Sequence, residues 1–381
     1  MRTIPFGKPL ISTAEKEAVA AVLDSGILVH GKKTSAFETA FAEFIGGGAC
    51  AAVSNCTAGL HLAYFCLEVG PGDEVIVPAQ THVATAHAVE LVGATPVFVD
   101  SELQTGNVDI DQIEAAITAK TRAISIVHFL GMPVKMDRIT QLAQKHQLYV
   151  IEDCALALGA TYRDIPVGLH GDAGSFSFYP VKHMTTGEGG MVVSTHQDLT
   201  TKIKASAAFG IDRHYNQRTI PGMYDVTSLG FNYRMSEIEA TLGLEQIKRV
   251  RSFLEIRRAN FTLLDQLLRE IDAIHLFDHT EPHGRSSYYC LSVVLHDKIA
   301  ARRPEFINFL NSRGVGTSVY YPHPVPRLSY YQRKYALDCS SYPNASRISD
   351  HSVALPVGPH LDADDMRYIA DTVKNFLAGG H

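Results

Sequence analysis

AAVSNCTAGLHLAYFCLEVGPGDEVIVP, residues 51–78, contains one complete unit of the pattern that decides the fold. AAVS reads as a short strand, TAGLHLAYFCLEV as an apolar helix and EVIVP as a second strand. The pattern then repeats. Helices are expected over 84–93 (ATAHAVELVG), 109–118 (DIDQIEAAIT) and 136–147 (MDRITQLAQKHQ), and strands over 96–100 (PVFVD), 122–129 (RAISIVHF) and 148–153 (LYVIED). Short β-branched runs between helices of moderate length predict an α/β fold. Its core is a mostly parallel sheet covered by helices on both faces.

Outward from this region the pattern changes. Upstream, helices are expected over 14–24, stopping at Ser25-Gly26, and over 35–45. Downstream, GSFSFYP (174–180) and GGMVVS (189–194) read as strands. Ser236-Glu237-Ile238-Glu239 fits a capping box. It opens a long helix whose periodicity continues past Leu254 towards Ile271. The tail offers SVVL (292–295), a helix near 304–313, SVYY (318–321) and a last helix from Asp362 to Leu377. At 381 residues the chain exceeds one ordinary core. The reading is a large α/β/α domain over 1–250 and a smaller C-terminal α+β domain over 251–381, divided within or beside the long helix.

Composition narrows the function. The net charge of -6 argues against a basic nucleic-acid-binding surface. The six cysteines form no CxxC pair and read as reduced thiols. The eighteen histidines are dispersed, without an HExxH pattern, so no metal is expected. The first residues lack a signal-peptide core, and no uncharged apolar run reaches the roughly 18 residues that span a bilayer. A cytoplasmic protein without membrane partners is expected.

Four segments could carry chemistry. In VSNCTAGLHLA (53–63) a strand runs through a small polar turn into a helix, whose free amides suit a phosphate; an ordinary N-cap is the plain alternative. In VIEDCALALGA (150–160), Glu152-Asp153 ends a hydrophobic strand, the edge where open α/β sheets bind ligands. An acid there can pair with a protonated ring nitrogen or simply cap the next segment. In SFSFYPVKHMTTGEGGMVVS (175–194), Lys182 has apolar, aromatic and glycine-rich flanks. A Lys deprived of full solvation loses its proton readily and can form an imine. Ser177 could face the same ligand. In SLGFNYRMSEIEA (228–240), Asn232 and Arg234 precede the capped helix. A phosphate turn, a strand-end acid and then a lysine, in that order within one α/β domain, matches fold-type I pyridoxal phosphate (PLP) enzymes, of aspartate aminotransferase-like architecture.

FYPVKHMTTGEGGMVVS, GFNYRMSEIEATLGLEQ and SRISDHSVALPVGPHLDADDM resemble the DegT/DnrJ/StrS-type sugar aminotransferases, perosamine synthase-like members included. The likeness runs from FGKPLIS to the last helix. It implies that Lys182 is the catalytic Schiff-base lysine, that Asp153 pairs with the pyridine nitrogen, and that Thr57, Ala58 and Ser177 hold the phosphate. Asn232 would reach the phosphate of the neighbouring subunit, making the unit a homodimer with shared sites. PLP would cycle with pyridoxamine 5'-phosphate, with L-glutamate as donor. The acceptor would be a keto sugar, by family habit a nucleotide-linked 4-keto-6-deoxy sugar used in cell-surface polysaccharide or lipopolysaccharide synthesis. Two positions depart from the family. Leu156 stands where Gln or His is common near the cofactor ring. His82 stands where an aromatic residue often stacks on that ring, and its imidazole can also titrate.

These departures keep a second acceptor open, a free sugar acid with a terminal aldehyde of the 3-deoxy-octulosonate type. Tyr320, Tyr321, His323 and Arg327 are candidates to face the acceptor, and Arg213 and Arg234 to read the glutamate carboxylate. A PLP sugar dehydratase would carry His in place of Lys182, and a silent PLP-binding regulator would not convert with any donor. A nicotinamide enzyme would need a GxGxxG turn where the chain reads SNCTAG.

Overall fold

The computed structural model describes residues 2–212, 220, 222–279 and 282–379. Helices α1 (Thr13–Ser25) and α2 (Lys33–Ile45) precede strand β1 (Ala49–Val53). The alternating region follows: α3 (Cys56–Cys66), β2 (Glu74–Pro78), α4 (Val83–Leu91), β3 (Thr95–Val99), α5 (Ile110–Ala116), β4 (Thr121–Val127), α6 (Met136–His146) and β5 (Tyr149–Asp153). After two short strands, β6 (Thr161–Tyr162) and β7 (Ile165–Pro166), come β8 (Ala173–Ser177), β9 (Gly190–Ser194) and α7 (Gln197–Ala207).

Seven strands form the main sheet in the order β1-β9-β8-β5-β4-β2-β3. β2, β3, β4, β5 and β8 pair in parallel, while β9 runs antiparallel to both neighbours, β1 and β8. The α/β reading therefore holds, with one reversed strand inside the sheet. That reversal has a consequence for register. Gly190, the first residue of β9, lies opposite both Val53, the last of β1, and Ser177, the last of β8. Asp153, the last of β5, lies opposite Ser175. Four chain segments thus reach one edge of the sheet together. The strands are buried on both faces, as parallel-sheet strands without alternation should be.

Beside β5, Glu152 is fully buried and accepts from the amides of Gly168 (2.7 Å), His170 (2.9 Å) and Gly171 (2.7 Å), and from His128 Nε2 (3.0 Å). His128 Nδ1 accepts from Val134 N, so its proton sits on Nε2. Burial pushes the Glu152 carboxyl up, but these donors outweigh it and hold it below its ordinary value. Glu152, His128 and Cys154 have ligand atoms within 4.8 Å of one another. Both Glu152 oxygens are, however, already engaged by protein donors.

The remainder contains α8 (Glu237–Ile247), α9 (Val250–Leu268), β10 (Ile274–Leu276), β11 (Gly284–Arg285), β12 (Leu291–Leu295), α10 (Asp297–Ala300), α11 (Arg303–Ser312), α12 (Ser329–Tyr335), α13 (Pro343–His351), β13 (Ser352–Leu355) and α14 (Ala363–Leu377). A small antiparallel sheet, β10-β12-β13, packs with α9, α11 and α14 around its own apolar cluster, which Ile4 also joins. SVYY is not a ladder strand; Ser318 makes a single bridge to Ala354. Among the described residues no helix is long and apolar enough to cross a membrane. All six cysteines are free thiols, five of them buried.

The Ser236 capping box is present, with Ser236 Oγ accepting from Glu239 N and Glu239 from Ser236 N. The single long helix is not. It divides at Lys248-Arg249, into α8 and α9. No glycine or proline marks the break, which sits where α1 docks. Arg249 Nη1 pairs with Glu15 Oε1 at 2.6 Å and reaches Leu10 O at 3.3 Å, while Gln246 Nε2 donates to the same two residues. Tertiary hydrogen bonding overrides a continuous helical pattern here.

Glu15 is 1% exposed. Burial pushes its carboxyl up, but bonds from Ser12 and Gln246 prevail and lower it from 4.5 to about 2. A carboxyl with a depressed folded-state value stabilises the fold above its unfolded value and loses that contribution as the pH falls. Glu15→Ala should lower unfolding free energy at pH 7 by about 2–3 kcal/mol in urea titrations. The gap from wild type should shrink as the pH falls from 4.5 towards 2.

Candidate active site

The four segments that meet at the sheet edge enclose a cavity of about 740 Å³. The turn after β1 forms one wall. Asn55 caps α3, its Oδ1 accepting from Ala58 N at 2.8 Å. Cys56 and Thr57, the first two residues of the helix, have no intrahelical acceptor for their amides. Thr57 and Ala58 line the cavity, as does Ser177 at the end of β8. The first turn of α3 therefore offers amides and a hydroxyl to an anion. Ala58 contributes its place in that turn, because its own amide is committed to Asn55.

Asp153 forms the floor and is 5% exposed. Its Oδ2 accepts from Thr85 Oγ1 at 2.8 Å and its Oδ1 from Ala155 N at 3.0 Å. The carboxylate is thereby fixed in direction and keeps lone pairs for a cationic partner. Leu156 is buried, lines the cavity and packs in a cluster with Phe129, Leu130 and Tyr289.

Lys182 stands on the loop between β8 and β9. The loop is clasped at its base, where Phe178 O accepts from Thr186 N (3.0 Å) and Thr185 Oγ1 (2.9 Å), and Phe178 N donates to Gly189 O. Gly189 sits at φ 154, which a side chain would resist. Gly190 meets a second demand, because a Cβ on it would lie 2.6 Å from the Asn55 carbonyl carbon. The TTGEGG sequence is thus a closure that admits a close backbone approach. Lys182 is half-buried and lines the cavity, its Nζ 5.5 Å from the Tyr289 ring centroid. Burial lowers its proton affinity; the acidic side chains around it, Asp153 among them, oppose this only in part. A lysine in this state gives up its proton more readily than a solvated one, so more of it is available as a free amine.

The opposite wall is phenolic. Tyr289, Tyr320 and Tyr321 line it, with Tyr289 Oη and Tyr320 Oη 2.8 Å apart. Burial raises all three hydroxyls, Tyr320 to about 12, so they stay protonated. The backbone behind them is held by Arg257 Nη1 donating to Tyr289 O (2.9 Å) and Gln80 Nε2 donating to Tyr320 O (2.9 Å). His82, the N-cap of α4, also lines the cavity and meets Tyr321 edge-on, ring centroids 5.5 Å apart.

The cavity brings together Thr57, Ala58, His82, Asp153, Leu156, Ser177, Lys182, Tyr320 and Tyr321. It does not include four other expected residues. Arg327 spends its guanidinium on Asp350, through bonds of 2.7 and 3.1 Å, and on His323 Nδ1. His323 is exposed, and neither residue lines the cavity. Asn232 is exposed beyond the cavity, accepting from Arg234 Nε at 3.1 Å, and Arg234 in turn reaches His30. Arg213 lies outside the described residues. Sequence reading missed Tyr289, Tyr179, Glu188 and Tyr233, all of which line the cavity, and Thr85 behind Asp153. Glu188 and Tyr233 lay within motifs already singled out. Nothing local distinguishes Tyr289 from its neighbour Tyr288.

Three proteins illustrate what this chain is similar to. The Bacillus subtilis spore coat polysaccharide biosynthesis protein SpsC is 35% identical over 382 residues, covering 99% of this chain and 97% of its own. GDP-perosamine synthase of Escherichia coli O157:H7 is 34% identical, covering 99% and 100%. Among solved structures, the PLP form of Spr1654 from Streptococcus pneumoniae superposes with a TM-score of 0.92 at 31% identity and 98% coverage of both chains. A PMP form of the same protein matches equally well, with a TM-score of 0.92. The DegT/DnrJ/EryC1/StrS aminotransferase family model matches residues 9–374, and the chain belongs to that family.

Proposed function

We propose that this enzyme transfers the amino group of L-glutamate to a nucleotide-linked 4-keto-6-deoxy sugar, with Lys182 holding the cofactor and moving the proton. Its family makes it a PLP-dependent sugar aminotransferase, whose cofactor alternates with the pyridoxamine form. The finer reading rests on one observation: Lys182, Asp153 and the open first turn of α3 face a single cavity. The residues fit the cofactor. A half-buried lysine with lowered proton affinity, a fixed carboxylate and free helix amides correspond to its aldehyde, ring nitrogen and phosphate.

Bound there, PLP supplies an electron sink for the C–H bond that breaks in the amino donor. The chain's own residues do the rest. Asp153 keeps a proton on the ring nitrogen, which its bonds to Thr85 and Ala155 leave it oriented to do. The Cys56 and Thr57 amides, the Thr57 hydroxyl and the Ser177 hydroxyl hold the phosphate. Lys182 Nζ takes the proton from the donor's α-carbon and returns it during the second half of the cycle. Tyr320 and Tyr321, protonated at neutral pH, offer donors to an acceptor's hydroxyl or carbonyl oxygens. The 4-keto sugar is favoured because perosamine synthases and a polysaccharide biosynthesis protein are among the relatives. The site of synthesis is proposed to be the cytoplasm.

A homodimer belongs to the same proposal. Ile27, Leu28 and Val29 are exposed, as are Met223, Tyr224, Val226 and Leu229, the last at 69%. So much exposed apolar surface calls for a partner. The exposed Asn232 lies a few residues from Leu229, so a second copy seated there could receive it. A division of the chain at residue 250 is likewise supported by the α8–α9 break and by the separate apolar cluster that follows it.

Three outcomes are expected. PLP-loaded protein should lose its visible absorbance band on addition of L-glutamate and regain it when a nucleotide-linked 4-keto sugar is supplied; a band indifferent to glutamate would sink the donor assignment. Lys182→Ala should cut turnover by at least about a thousandfold, and near-normal turnover would remove Lys182 from the mechanism. Light scattering should give twice the 41.7 kDa chain mass, with Leu229→Glu shifting the population towards monomer.

A further inference from the structure

His82 has two attachments that the transamination mechanism does not use. Its Nδ1 accepts from Ala84 N at 3.2 Å, capping the first turn of α4. An accepting Nδ1 carries no proton, so the neutral ring is protonated at Nε2. The turn it caps is the one that aligns Asp153. Thr85 N donates to His82 O at 3.1 Å, Thr85 Oγ1 donates to Asp153 Oδ2 at 2.8 Å, and Thr81 Oγ1 lies 2.7 Å from Thr85 Oγ1. Unlike Thr85, which is wholly buried, His82 is exposed and within reach of solvent protons.

We propose that His82 is a positioning residue whose neutral imidazole caps α4 and holds Thr85 against Asp153, and that protonating His82 in acid releases this cap and weakens cofactor binding. The inference rests on the reading of the cavity as the PLP site. An Nδ1 that gains a proton turns from acceptor to donor and faces the Ala84 N–H, so the cap is lost. The positive charge at an N-terminus also opposes the helix dipole. The charged and titratable groups around His82 come from several elements: Asp153 at the end of β5, Lys182 on the β8–β9 loop, His87 one turn along α4, and the Tyr321 ring. Desolvation is the largest influence on His82 and lowers its proton affinity; Lys182 and His87 act in the same direction, and Asp153 opposes them. The neutral cap is therefore the form at neutral pH, and the change falls below the ordinary value of 6.5.

The test is PLP affinity, measured by absorbance or fluorescence between pH 8 and pH 5, for wild type, His82→Asn and His82→Ala. Asn offers a cap that does not titrate and Ala offers none. Wild type should lose about three- to tenfold more affinity across this range than His82→Asn, the loss expected for one helix cap. His82→Ala should bind more weakly than His82→Asn at pH 8 and show none of the extra acid loss. Equal pH profiles for wild type and His82→Asn would overturn the proposal while leaving the cavity as the cofactor site. A protein that takes up no PLP at any pH would overturn both.

Discussion

The contact between Gly190 and the Asn55 backbone is the constraint on which the rest of the site depends. It lets the reversed strand β9 begin against the turn that opens α3. Because Gly190 also pairs with Ser177, three ends are held at one point: the turn after β1, the end of β8 and the close of the Lys182 loop. The loop's clasp at Phe178 then leaves Lys182 little freedom except into the cavity. Geometry at the sheet edge, rather than any strong single bond, brings the lysine, the acid and the helix amides together. An inward-facing polar cluster of this kind costs desolvation. The two acids at the end of β5 offset that cost, Asp153 with two donors and Glu152 with four.

Much of this was legible in the sequence. The period of the strand–helix alternation fixes the layers, and the strand-end position of Asp153 puts it at the ligand edge of an open sheet. Pro180, the two threonines and the glycines around Lys182 mark a tight loop, and the structure supplies one. The Ser236 capping box was readable because it is local, a bond between residues three apart. The helix it opens is shorter than its periodicity implies, because what interrupts it, Glu15 and Leu10 on Arg249, lies more than two hundred residues away in the chain.

The site residues that sequence reading missed or misplaced follow the same division. Asp153, Thr57 and Ser177 sit where strands or helices begin or end, and Lys182 sits on a loop between two strands, so their direction is set locally. The phenolic wall comes from segments folded in from the far end of the chain, and its members are ordinary tyrosines until they are placed. Arg327 shows the converse. It is a candidate to face the acceptor, but its guanidinium pairs with Asp350 of the protein itself. A bidentate partner within the chain is invisible to spacing arguments.

That wall is carried by different parts of the chain from the lysine and the acid. Tyr320 hangs from Gln80, which is held in turn by Ser349 of α13, and Ser318 bridges to Ala354 of the small sheet. Asp153 ends a strand of the large sheet, and Lys182 stands on a loop between two others. The two sets share a cavity and meet at Gln80, which follows β2 of the large sheet and is held from the other side by Tyr320 and α13. Substitutions in the 318–321 segment or in α13 can reshape what the cavity admits while Lys182, Asp153 and the first turn of α3 stay in place. An architecture divided in this way can diversify its substrates by drift in one region, with its chemistry sheltered in the other.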